Sequence, residues 1–199
     1  MGSEGSDRPT LEEAEEAVRV IIRWIGDFPG REGLRDTPKK VLDAYRRSFR
    51  GYEFGEDDRR SIKQELLAND SCTEGMVVVR DMSFTSSCEH HMSPFRGRAN
   101  VAYIPGKKVI GIGDIVRIVD GFASRLQLQE RLTKQIALCM VDILEPRGVA
   151  VLLEAKHRCV ECYANITGCS SLRVQTSKML GEFENSSYLR DEFFNRLKV

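Results

Sequence analysis

The chain contains three histidines, His90, His91 and His157, and each stands within three residues of a cysteine. They form two clusters far apart in the chain, Cys88-Glu89-His90-His91 and His157-Arg158-Cys159. Thiolate and imidazole together suit zinc, a borderline-soft ion. In a turn, Cys88 and His91 converge and His90 between them faces elsewhere. If the strand running in from Val149 to Leu153 continues through 157–159, His157 and Cys159 point into the same space. Two arrangements follow. Cys88, His91 and Cys159 alone leave a fourth position open, as catalytic zinc sites do, with His90 and His157 free for acid–base work. Adding Cys162 gives a closed, structural Cys₃His site, but residues three apart on a strand face opposite sides, so Cys162 joins only where the strand ends or bulges.

The rest of the chain supports a core without cross-links. Its 199 residues suggest one domain with an appended arm, and 41% are hydrophobic. Lys plus Arg and Asp plus Glu both number 30, so the net charge is zero and no nucleic-acid partner is expected. Apolar runs fall far short of the ~20 residues of a membrane helix, so no membrane partner is expected either. The start, Met1 to Pro9, is small and polar, unlike a secretory signal, so the six cysteines read as reduced thiols in a cytoplasmic protein.

Residues 1–10 read as a flexible leader. Thr10 and Glu13 form a capping-box pattern ahead of helical periodicity over 11–27, and Thr37-Pro38 opens a second helix over 38–50. The segment 11–75 is therefore read as an N-terminal helical region. From Met76 the character turns β-rich, at Met76–Val79 and Asn100–Ile104. Helices are expected over 113–122 and 128–145, a strand over 149–153 and a short helix over 188–197. This order predicts an α+β catalytic domain over 76–199 with a mostly antiparallel sheet.

Several separated blocks resemble the GTP cyclohydrolase I family. They are Arg31-Glu32-Gly33-Leu34 with Thr37-Pro38, Thr85 to His91, Val101 to Pro105, Arg117-Ile118-Val119, Gln127 to Thr133, His157-x-Cys159 and Met179-Leu180-Gly181. The resemblance implies the tunnelling fold, with paired helices on one face of an antiparallel sheet, an outer helical arm, and a homo-oligomeric ring assembly, a decamer with active sites between subunits. It implies a guanine nucleotide substrate, GTP, and zinc on Cys88, His91 and Cys159. Water activated there opens the imidazole ring at C8, formate leaves, and 7,8-dihydroneopterin triphosphate forms. His157 and His90 would carry protons. Glu130 would accept hydrogen bonds from guanine N1–H and the 2-amino group, with Gln129 beside it. Arg117 and Lys40 would bind phosphate.

The chain departs from the family pattern at the phosphate end. Thr37-Pro38-Lys39-Lys40 stands where the family has Thr-Pro-x-Arg, and Lys40 keeps the charge without the bidentate fork. Gly111-Ile112-Gly113-Asp114 replaces Gly-Leu-Ser-Lys, turning a cation into the Asp114 anion. The Arg-Gly pair after Cys159 is missing from the longer stretch Val160 to Asn165, and Arg173 and Lys178 are the candidate replacements. Two alternatives follow: a cyclohydrolase for a guanine compound with fewer phosphates, or a catalytically silent, zinc-stapled homologue. The silent reading predicts broken metal or acid–base residues, and all five are intact.

Overall fold

The computed structural model describes residues 8–70, 74–163 and 172–198. Residues 1–7 of the expected leader and the side chain of Cys162 lie outside the described part, so the choice between an open site and one closed by Cys162 falls there too. The chain separates into two compact units, divided between Ser48 and Phe49.

The first unit is a pair of helices, α1 (Leu11–Trp24) and α2 (Thr37–Ser48). The capping box is present: Thr10 Oγ1 accepts from the Glu13 backbone N–H at 3.2 Å, and the Glu13 carboxylate accepts from the Thr10 N–H at 2.7 Å. Both helices stop earlier than periodicity predicts, α1 at Trp24 and α2 at Ser48. At α1 the chain turns through Gly26, whose positive φ of 94° suits a residue without Cβ.

The first α-helix of the second unit is α3 (Glu56–Gln64), whose Ile62 is fully buried in the core of this unit. The short strands β1 (Leu67–Ala68) and β4 (Lys108–Val109) pair antiparallel. The main sheet contains β2 (Val77–Cys88), β3 (Pro94–Ile104), β5 (Leu126–Gln127), β6 (Gly148–His157) and β7 (Val174–Gly181), in the order β5-β2-β3-β6-β7. All neighbours are antiparallel except the short β2/β5 pair.

Alternation along β6 divides the core. Val149, Val151, Leu153 and Ala155 meet Ile115, Ile118, Leu132, Ile136 and Met140 of α4 (Ile112–Ala123) and α5 (Gln129–Leu144). Ala150 and Leu152 join Phe183 of α7 (Glu182–Asn185) and Phe193 of α8 (Ser187–Leu197). The protein is thus α+β, with the helix pair α4/α5 on one face of a largely antiparallel sheet, as the tunnelling fold requires. The β2 and β3 strands run much further than their apolar segments suggest, because polar residues such as Thr85 and Arg96 occupy the exposed side of a paired ladder. Among the described residues no helix is long and apolar enough to cross a membrane.

Candidate metal centre and its surroundings

The long β2–β3 hairpin carries the first cluster at its tip. Cys88 ends β2, and its carbonyl accepts from the N–H of Met92 (2.8 Å) and His91 (3.3 Å), while the Cys88 N–H donates to the Ser93 carbonyl at 2.8 Å. This tight turn requires Met92 to adopt φ 51°, an uncommon conformation for a side chain of its size. It folds His91 back so that its Nδ1 lies 3.6 Å from Cys88 Sγ.

The second cluster arrives differently from expectation. β6 ends at His157, and Arg158 begins the short helix α6 (Arg158–Tyr163). Cys159 therefore reaches the site from a helical turn, and the argument that it shares a strand face with His157 does not hold. The outcome nonetheless groups Cys88, His91 and Cys159, with one ligand atom from each lying within 4.8 Å of the others. Both thiols are buried and His91 is exposed. Burial, then the adjacent Cys88 thiol, pushes the Cys159 thiol up, against the pull of the Val160 and Cys159 backbone N–H groups. Two thiols so close resist joint ionisation unless a cation stands between them. A soft, convergent donor set of two sulfurs and one imidazole fits zinc.

His157 is half-buried against Phe95, its partner across the β3–β6 ladder, with ring centroids 4.5 Å apart and planes inclined by 7°. Burial lowers its pKa from the ordinary imidazole value, opposed by the Glu130 carboxylate. Its Nε2 lies 2.8 Å from Gln129 Oε1. Glu130 is exposed in the first turn of α5, where the helix dipole favours a carboxylate. His90 is exposed at the hairpin tip.

The turn that carries Cys88 and His91 is tied to β5 and the start of α5. The Glu89 N–H donates to the Gln127 carbonyl at 3.1 Å. The Arg131 guanidinium clasps the Glu89 carboxylate with two bonds, one of 3.0 Å. That ion pair holds the Glu89 carboxyl below its ordinary value. Sequence reasoning singled out neither Phe95 nor this pair; a charge match between Glu89 and Arg131 is visible only once the turn and helix are adjacent.

The expected phosphate residues lie on separate elements. Lys40 lies on α2 in the first unit. Arg117, on α4, pairs with Asp114 at 3.5 Å and with Asp58 of α3 at 3.3 Å. Arg173 pairs with Glu154 at 2.7 Å.

Residues 14–198 match the model of the GTP cyclohydrolase I family. A GTP cyclohydrolase 1 of Allorhizobium ampelinum is 46% identical over 180 residues, spanning 90% of this chain and 87% of the relative. One from Sinorhizobium fredii is 48% identical over 155 residues, spanning 78% and 74%. Among solved structures, the apo form of an archaeosine synthase QueF-Like aligns with a TM-score of 0.44 and 20% identity, over 53% of this chain and 93% of that one. With sequence similarity running through the sheet, the helix pair and both Cys/His clusters, the chain belongs to the GTP cyclohydrolase I family of hydrolase enzymes.

Proposed function

We propose that this protein opens the guanine imidazole ring of GTP by hydrolysis at C8, releasing formate and forming 7,8-dihydroneopterin triphosphate, as a cytoplasmic homo-oligomeric ring. The observation that carries this reading is the convergence of Cys88, His91 and Cys159, the last of them two positions along the chain from His157. These three side chains would hold a zinc ion, which when bound supplies the Lewis acidity that makes water nucleophilic near neutral pH. His157 donates a proton to guanine N7, so that electron density leaving the attacked C8 is accepted at nitrogen. His90 serves as a second proton carrier. Glu130 accepts the N1–H and 2-amino donors of guanine, a pair that adenine lacks. The decamer follows from the family's habit of completing pockets between subunits.

A second reading is favoured by one specific observation. Arg117, the expected phosphate ligand, already faces two carboxylates, Asp114 and Asp58. A cation so neutralised attracts phosphate weakly, and Arg173 is engaged by Glu154. This favours a guanine nucleotide or nucleoside with fewer phosphates. Incubation with GTP, GDP, GMP and guanosine, followed by formate and pterin fluorescence, tests both readings. Formate from GTP alone supports the first, and equal or better turnover of GMP supports the second. No formate from any of the four overturns both and leaves the silent homologue.

A further inference from the structure

Gln129 is only 2% exposed, and its side chain is committed within the chain. Its Nε2 shares two hydrogens among three acceptors, the Val174 carbonyl at 3.0 Å, the Leu153 carbonyl at 3.3 Å and Thr176 Oγ1 at 3.1 Å. Carbonyl oxygens only accept, so the amide nitrogen must face β6 and β7, and Oε1 must face His157. Oε1 and His157 Nε2 are 2.8 Å apart. An amide oxygen has no proton to give, so Nε2 carries the hydrogen.

The neighbouring hydroxyls agree with this direction. Thr133 Oγ1 donates to the Gln129 carbonyl at 2.7 Å and lies 2.7 Å from Thr176 Oγ1. Its one hydrogen is used, so Thr176 donates to Thr133 and keeps lone pairs for Gln129 Nε2. One set of proton positions serves the whole network, with one Gln129 amide hydrogen shared between two acceptors. It leaves neutral His157 with a bare Nδ1.

We infer that Gln129 is a positioning residue that holds His157 as its Nε2–H tautomer and thereby makes Nδ1 the nitrogen that exchanges a proton with substrate. The inference rests on the reading in which His157 serves guanine N7. It moves Gln129 from the guanine edge to the support of that histidine. In the transfer, the Nδ1–H bond of the imidazolium breaks and an N7–H bond forms, and the ring returns to the neutral Nε2–H form. Phe95 covers one ring face, so the ring cannot flip without unstacking. Such supporting contacts typically change activity by about 10–100-fold.

The test uses the purified protein labelled with ¹⁵N-histidine. With three histidines in the chain, the ring signals that vanish in His157→Ala identify His157. The neutral ring should show a protonated Nε2 and a bare Nδ1, and a protonated Nδ1 overturns the inference whatever the substrate proves to be. Gln129→Met should then lower kcat by about 10–100-fold with KM little changed. In a His157→Ala background the same substitution should cost nothing further. A loss that persists there, or that falls on KM, places Gln129 on the substrate and overturns the positioning role. Full activity of His157→Ala would instead overturn the proposed proton transfer while leaving the tautomer measurement standing.

Discussion

The His157 imidazole lies flat on the Phe95 ring, 4.5 Å between centroids, because register pairs the two residues directly across β3 and β6. Phe95 is itself 1% exposed, so the histidine rests on a surface anchored in the core. Phe95→Leu keeps an apolar contact but loses the flat face, and kcat should fall while metal content stays at the wild-type level. Phe95→Ala should also cost stability, about 3–5 kcal/mol for a buried aromatic, read by urea unfolding. Unchanged kcat in Phe95→Leu would show that the stacking has no bearing on turnover.

The isolated protein should carry about one zinc per chain, in keeping with the one convergent donor set among the described residues. Cys159→Ser should lose most of it by elemental analysis, and formate release should disappear with it. Because the Cys159 thiol is pushed up, protons compete with the metal, so zinc affinity should weaken as pH falls. Metal-free protein with full activity would contradict the assignment.

Asp114→Lys should raise kcat/KM for GTP more than for GMP, since it removes one of the two carboxylates on Arg117 and adds a cation that extra phosphates can use. Asp58→Asn should act in the same direction, more weakly. Exposed contacts of this kind are screened by salt, so the comparison is made at fixed, low ionic strength. Strong preference for GTP in the unmodified protein, unmoved by Asp114→Lys, would mean that other cations serve the triphosphate.

Cys139 is a buried thiol on α5, pushed up to about 11 by burial. It should resist alkylation in the native protein at pH 8 and react after unfolding, as peptide mapping by mass spectrometry would show. The unfolded chain releases this proton near pH 9, before the folded chain does, so stability is full below that and declines towards pH 11. Cys139→Val should flatten that alkaline slope in denaturation measured against pH.

The helix pair α4/α5 and the α1 cap were legible because each depends on residues a few positions apart. Periodicity over 128–145 anticipates α5 at Gln129–Leu144 almost to the residue. β7 was not legible: Val174 to Gly181 lacks clean alternation and is a strand because β6 offers it a full ladder. Cys159 shows the same limit. Its sulfur chemistry marks it as a candidate ligand, yet the route by which it reaches Cys88 depends on where β6 stops.

By itself the sequence determined which cysteines and histidines form the candidate donor set, the presence of a carboxylate at Glu130 and the succession of helical and β segments. These follow from side-chain type and local spacing. Only the tertiary structure decided that Phe95 lies beneath His157, that Gln129 points its oxygen at that ring, and that Asp58 and Asp114 share Arg117. Each of the Phe95, Gln129 and Asp58 contacts joins residues many positions apart, and is set by strand register, helix packing and the need to satisfy buried polar groups. Those are properties of the assembled core, and no local stretch of the chain contains them.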